Sequence, residues 1–272
     1  MQHRKIAFIG AGNMAKAIIA GLVNGGYPAQ LITATSPSMT QDSPLHAQYG
    51  IRCSNDNLES ARQADVVVLA VKPQMMADVC APLYQQVNLS GKLILSIAAG
   101  ISVGRFSQLL GPVDLIRIMP NTPSLIGLGM SGLYAPPQVS AQDREFTACL
   151  MQSVGEICWV NEESGINNII AAAGSAPAYF FLFMEAMQNE SERLGFKPET
   201  ARLLVQQAAL GAAQMVVNNP QLDIGTLRQQ VTSKGGTTAE ALRVFHEQGL
   251  SETVASAMQA AIKRANEMEK SL

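Results

Sequence analysis

Over the first 160 residues, short apolar runs alternate with stretches whose apolar positions recur at helical spacing. The runs lie at 6–9, 31–34, 51–53, 66–71, 93–97, 115–119, 129–134 and 156–160. Most lack polar alternation, the pattern of strands buried on both faces. Between them, 13–22, 42–49, 55–63, 79–86, 103–110 and 141–155 read as helices. In the first of these, Met14, Ala17, Ile18, Gly21 and Leu22 share one face. Strand and helix in alternation predict a doubly wound α/β sheet with right-handed crossovers. Beyond 160 the strand pattern stops. Segments 161–173, 178–194, 199–217, 227–231, 238–247 and 251–270 read as helices, with breaks at Gly174, Pro177, Gly195, Pro198, Pro220 and Gly249. The expected domains are therefore 1–160, α/β, and 161–272, all-α. The second set of helices is so apolar that it needs a mate, which predicts a homo-oligomer.

The first strand runs into Gly10-Ala11-Gly12-Asn13-Met14-Ala15, a G-x-G-x-x-A turn, and then into the first helix. Gly10 permits the sharp turn, Gly12 lets a pyrophosphate approach the main chain, and Ala15 lets the helix pack on the strand. The helix N-terminus then faces the phosphates. In this strand–turn–helix context the motif indicates a Rossmann-type dinucleotide-binding domain.

Composition narrows the partners. The chain has 272 residues, 47% apolar and 15% charged, with net charge −2, so no basic field invites nucleic acid. Cys53, Cys80, Cys149 and Cys158 are far apart and form no CxxC pair, which argues against zinc or any other metal site and predicts four buried thiols in a reducing cytosol. MQHRK leads straight into a strand, so no signal peptide is expected and a cytoplasmic location is. The apolar run 169–184 contains Gly174, Ser175 and Pro177. It falls short of the ~20 residues a membrane span needs and reads as core or interface.

The end of the second strand reads Thr35-Ser36-Pro37-Ser38. An NAD-preferring site usually places an acid there for the ribose 2′-hydroxyl. Hydroxyls in its place tilt the cofactor toward NADPH, with NADH as the alternative. Lys72-Pro73 and Ala98-Ala99-Gly100 close two other strands, where ligands sit in an open parallel sheet. Lys72 reads as catalytic, cofactor-adjacent or merely solvated, and main-chain contact from its loop is the preferred reading. Arg117 lies in an apolar strand and needs a carboxylate or carbonyl partner.

A second candidate site is Val231-Thr232-Ser233-Lys234-Gly235-Gly236-Thr237-Thr238-Ala239-Glu240. Thr237 and Glu240 form a T-x-x-E capping box that predicts a helix start. Hydroxyls, glycines and amides at a positive helix end suit a carboxylate.

FIGAGNMA (8–15), LAVKPQ (69–74), SIAAG (96–100), RIMPNTP (117–123), GSAPAY (174–179) and VTSKGGTTAEAL (231–242) occur in this order over nearly the whole chain. Together they resemble pyrroline-5-carboxylate reductase, the last enzyme of proline biosynthesis. Two positions depart from the pattern: Ala176, often glycine in the family, and Lys234, often proline. The resemblance implies a Rossmann domain, then a helical dimerisation domain, with substrate held where two subunits meet, in a homodimer or a larger assembly such as a decamer. It implies cofactor contacts from Gly10, Ala11, Gly12, Asn13, Met14, Ala15, Ser36, Asn57, Ala70, Val71, Lys72, Pro73, Ala98, Ala99 and Gly100. It implies substrate contacts from Ser175, Ser233, Gly235, Gly236, Thr237 and Thr238, with Thr238 near the ring nitrogen as the catalytic candidate.

The implied reaction is hydride transfer from NAD(P)H to C5 of L-1-pyrroline-5-carboxylate. A protonated imine is already electrophilic, so placement matters more than acid–base groups. That suits a chain whose histidines, His3, His46 and His246, none looks placed as a base. Two alternatives stand beside it. A β-hydroxyacid dehydrogenase shares the layout but needs a helical lysine, absent from AYFFLFMEAM after Pro177. A nucleotide-sensing scaffold would bind NADP without chemistry, and the SKGGTT loop counts against it.

Overall fold

The computed structural model describes residues 3–271, which divide into two compact units: residues 3–175 with 261–271, and residues 176–260.

The first unit opens with β1 (Ile6–Ile9), α1 (Asn13–Asn24), β2 (Ile32–Thr35), α2 (Pro44–Tyr49), β3 (Arg52–Ser54) and α3 (Asn57–Gln63). It continues with β4 (Val66–Leu69), α4 (Met76–Gln86), β5 (Leu93–Ser96), α5 (Val103–Leu110), β6 (Asp114–Met119), β7 (Gly129–Tyr134), α6 (Ala141–Gln152) and β8 (Gly155–Trp159). One sheet carries all eight strands in the order β3-β2-β1-β4-β5-β6-β7-β8. β1 to β6 are parallel, in register Ile6↔Ile32, Ile6↔Val66, Val66↔Leu93 and Leu93↔Asp114. β7 pairs antiparallel to β6, and β8 follows β7 in parallel, so the last two strands reverse the sheet. Every residue of β1, β4 and β5 is buried, as unbroken apolar runs require. One core layer centres on Phe8, Ile18, Leu22 and Ile116, and the other on Ile9, Leu69, Leu83 and Phe106.

This unit extends past residue 160. α7 (Gly165–Ile169) buries Ile166 and Asn167, and a π-turn over Ile170–Gly174 follows it. Gly174 and Pro177 do not break the chain as their residue types predict. In the π-turn the Ser175 amide donates to the Ile170 carbonyl at 2.7 Å. Pro177 has no N–H for the Ala173 carbonyl four residues back, and that carbonyl accepts the Asn121 side-chain amide at 3.0 Å instead. The backbone therefore stays helical, and 165–193 forms one stretch long and apolar enough to cross a membrane by length and composition alone.

Arg117, only 2% exposed, has its partners: Glu163 at 2.6 Å and Glu269 at 2.8 Å. Asn167 donates to Asn266 at 2.8 Å and to Glu269 at 3.1 Å. These bonds bring residues 261–271 into the first unit. The thiols depart from expectation: Cys53 and Cys80 are buried, while Cys149 and Cys158 are only half-buried. Burial pushes the Cys80 thiol up to about 12, which leaves it protonated and inert at neutral pH.

The second unit holds α8 (Ala176–Arg193), α9 (Pro198–Val217), α10 (Ile224–Gln230), α11 (Thr237–Glu247) and the first turns of α12 (Leu250–Ser271). Within it, Phe183 and Phe245 bring α8 and α11 together, ring centroids 5.9 Å apart. Its own core is scant. Ala201, Val205 and Leu227 are its buried apolar residues, whereas Phe180, Phe181 and Leu182 are 62–68% exposed. So much uncovered apolar surface marks an association face.

Candidate active site

The chain winds from β1 out to β3, then crosses back to β4 and continues outward on the other side. The crevice between the carboxyl ends of β1 and β4 is therefore the switch point where α/β sheets bind ligands. Gly10 turns the chain there with φ +102°, and a Cβ on it would lie 2.8 Å from the Ala70 carbonyl carbon and oxygen. Its amide donates to the Thr35 carbonyl at 3.1 Å, and the Ala70 amide to the Ile9 carbonyl at 2.9 Å. Gly12 differs in kind. Its φ is −71°, and no atom lies within 4 Å of where its Cβ would be. It is exposed, no side chain caps α1, and no acid occupies the first turn. The first amides of this twelve-residue helix thus have no side-chain partner, the arrangement in which a helix start can take an anion.

The other cofactor candidates gather at neighbouring strand ends. Asn13 is exposed, Ala11 and Met14 are half-buried, and Ala15 packs α1 onto the core. Ser36 follows β2, its amide bonded to the Ser54 carbonyl at 3.3 Å and its hydroxyl without a hydrogen bond among the described residues. Asn57 is half-buried and meets the Thr35 hydroxyl at 2.6 Å. Thr35 itself is fully buried, so it is not one of the hydroxyls facing out of the turn. After β4, Ala70 and Val71 are half-buried, Lys72 is exposed, and Pro73 starts a 3₁₀ turn. After β5, the Ala98 amide bonds the Ser96 hydroxyl at 3.3 Å, Ala99 is half-buried, and Gly100 turns with φ +74°. The Asp56 carboxylate is taken up capping α3, accepting from the Glu59 amide at 2.9 Å. His46 is exposed, with Nδ1 2.7 Å from the Ile51 carbonyl, a loop tie rather than a base.

Ser175 belongs to the same unit, half-buried at the end of the π-turn. Ser233, Gly235, Gly236, Thr237 and Thr238 belong to the other. Gly235 turns with φ +72°, and the Gly236 amide donates to the Ser233 carbonyl at 3.0 Å. The capping box predicted for Thr237 and Glu240 does not form. The helix cap is Gly236, Thr237 is the first helical residue, and no side chain caps α11. Glu240 turns instead to Arg243, 2.6 Å away and one turn on, which holds its carboxyl below the usual carboxylate range. A nearby guanidinium outcompetes a backbone amide for the carboxylate. The helix-start amides and the exposed Ser233, Thr237 and Thr238 hydroxyls are thereby left without side-chain partners among the described residues. No cluster of three His, Cys, Asp or Glu side chains suited to a metal occurs among the described residues.

Residues 163–268 match the family described as pyrroline-5-carboxylate reductase dimerisation, and residues 5–100 the family described as NADP oxidoreductase, coenzyme F420-dependent. A pyrroline-5-carboxylate reductase of Vibrio alginolyticus is 64% identical over 271 residues, 99% of each chain. The chain belongs to the pyrroline-5-carboxylate reductase family. Two solved structures bear on its fold. That of a Coxiella burnetii pyrroline-5-carboxylate reductase superposes with TM-score 0.93 at 39% identity, covering 98% of this chain and 99% of the other. A Plasmodium falciparum pyrroline carboxylate reductase, solved with NADP bound, gives TM-score 0.87 at 27% identity over 99% of both. The Rossmann sheet followed by a helical dimerisation domain is thus the pyrroline-5-carboxylate reductase fold. Two polar side chains with structural reach in it escaped the sequence reading. Asn121 bonds both the Ala173 carbonyl and the Met130 amide (2.9 Å), and Thr35 bonds Asn57. A lone asparagine between two prolines was the available signal for the first. The second carried no signal beyond its place at a strand end.

Proposed function

We infer that this chain reduces L-1-pyrroline-5-carboxylate to L-proline, with NADPH as the preferred hydride donor and NADH as the alternative. The observation that carries the reading is the pair of glycine turns leading into uncapped helices, α1 and α11. One suits a pyrophosphate and the other a carboxylate. Bound cofactor supplies the hydride from its nicotinamide C4 to the imine carbon. Gly10 to Ala15 take the pyrophosphate, Ser36 and Asn57 the adenosine 2′-phosphate, and the loops 70–73 and 98–100 the nicotinamide side. Ser233 to Thr238 and Ser175 hold the substrate, with Thr238 hydrogen-bonded to the ring nitrogen. A neutral threonine is a poor acid, so solvent supplies the proton. Absence of an acid after β2 and engagement of Asp56 in a helix cap both favour the phosphorylated dinucleotide.

Residues 161–272 act as the dimerisation and substrate-binding domain. α8 meets another copy of this chain rather than lipid, and Glu185, Glu190, Glu192 and Arg193 along it suit water or protein better than a bilayer. The assembly is a homodimer, or a decamer built from dimers, in the cytoplasm.

Oxidation of NADPH followed at 340 nm, with and without the imine, tests the reaction. Imine-dependent oxidation faster with NADPH than with NADH is expected, and no turnover by protein that binds NADPH would overturn it. Thr238→Ala is expected to lower kcat about tenfold or more and to leave the NADPH dissociation constant within about twofold. Unchanged kcat would remove Thr238 from the mechanism.

A further inference from the structure

We propose that Thr35 is a positioning residue for cofactor choice, fixing which end of the Asn57 amide faces the crevice. The proposal rests on the reading that Asn57 meets the adenosine 2′-phosphate. Thr35 is the last residue of β2, in register with Ile9 on one side and Ser54 on the other. Its carbonyl accepts the Gly10 amide at 3.1 Å, so the residue is tied directly to the glycine turn. Its side chain is fully buried and cannot itself reach a ligand.

The Thr35 hydroxyl lies 2.6 Å from Asn57 Oδ1 and 3.2 Å from the Phe8 carbonyl. A hydroxyl has one proton to give. The shorter separation is an O–H···O length, and N–H···O bonds are typically 2.9–3.0 Å. The hydroxyl is therefore assigned as donor to Asn57, whose amide oxygen faces it at that separation. With Oδ1 held by Thr35, Nδ2 is the end left without a hydrogen-bond partner among the described residues. Asn57 thus presents two N–H donors and no acceptor. A phosphate is an acceptor only, and charge-assisted bonds to it are about twice as strong as neutral ones. A 2′-hydroxyl bonds either end of an amide equally well. Without the Thr35 lock the amide is free to flip, and its flipped state turns an oxygen toward the phosphate. The lock therefore favours the phosphorylated dinucleotide while leaving the unphosphorylated one indifferent.

The test compares Thr35→Val, Thr35→Ser and Asn57→Ala with the parent enzyme. KM and kcat are measured for NADPH and for NADH at saturating imine. Valine keeps the shape and burial of threonine and removes the hydroxyl. Thr35→Val is expected to raise KM for NADPH about five- to tenfold, with KM for NADH and both kcat values within about twofold. Thr35→Ser keeps the donor and is expected to restore the parent preference. A Thr35→Val enzyme with an unchanged NADPH/NADH ratio, beside an Asn57→Ala enzyme whose ratio falls, would overturn the positioning role and keep the phosphate reading. An unchanged ratio in Asn57→Ala would overturn both. Equal loss for both cofactors in Thr35→Val, not recovered by serine, would reduce Thr35 to a packing residue. Each ratio is read within one protein sample, so partial instability of Thr35→Val does not mask the outcome.

Discussion

Gly12→Val is expected to weaken NADPH binding on the order of 100-fold while leaving the fold nearly as stable as before. The expectation comes from the empty space beside this residue. Its φ of −71° and ψ of 179° are ordinary extended angles for any residue, and no atom lies within 4 Å of a Cβ placed there. The folded chain has nothing to move. The only cost to the protein is a poorer helix cap, about 1 kcal/mol or less. The branched side chain instead fills the space the pyrophosphate needs and separates it from the first amides of α1. Hydrogen bonds to a charged group contribute about 1.5–3 kcal/mol each, so losing one or two of those amide contacts weakens binding by on the order of 100-fold. Gly10→Ala makes the control. There φ is +102°, and a methyl would meet the Ala70 carbonyl at 2.8 Å. Both the backbone conformation and the β1–β4 crevice oppose it, so stability and binding fall together. NADPH fluorescence titration and thermal unfolding on the same two proteins separate the effects. A Gly12→Val protein that binds NADPH normally would mean the pyrophosphate lies elsewhere.

The difference between those glycines was only half visible in the sequence. The motif named both, and the strand–turn–helix context placed them, because buried apolar runs and helical spacing are local signals. For the same reason all eight strands and the helical second half were legible. What depends on pairing was not. Nothing in Gly129–Tyr134 says that β7 runs against β6. Pro177 reads as a break because a proline removes a local bond. The bond that replaces it comes from Asn121, more than fifty residues earlier. The capping box failed through a competition the motif does not encode, since Arg243 sits three residues after Glu240 and claims its carboxylate. The candidate site divides along the same line. The glycine turns and strand ends follow from local pattern, but the inward turn of Thr35 and its hold on Asn57 require two strands and a helix to be in place.

Arg117 is where long-range pairing carries the most energy, and Arg117→Met is expected to destabilise the protein by about 2–4 kcal/mol. Its side chain is 3% exposed, between the carboxylates of Glu163 and Glu269, which are 29% and 21% exposed. Glu163 also accepts the Val103 amide at 2.7 Å, and Glu269 also accepts Asn167 at 3.1 Å, so neither carboxylate swings freely into water. Methionine keeps most of the bulk and removes the cation that pairs with both carboxylates. Two carboxylates then face each other without compensation. Removing one partner of a fully buried pair costs about 3–5 kcal/mol, and the partial exposure of the two glutamates lowers that figure. Glu269→Gln is the informative contrast. It retains a hydrogen-bond acceptor and leaves Arg117 paired one to one with Glu163, so its cost is expected to be about 1 kcal/mol or less. Urea unfolding of both variants reads the order directly, and equal losses would mean that packing, not charge, holds the cluster. The effect should also be local before it is global. Glu269 lies in the last turns of α12 and Asn167 in α7, so amide exchange in 261–271 and 165–175 is expected to rise first in Arg117→Met. Ser175 ends that second segment. If it touches the substrate, the same variant raises KM for the imine at temperatures where the protein is still folded, and KM for NADPH stays where it was.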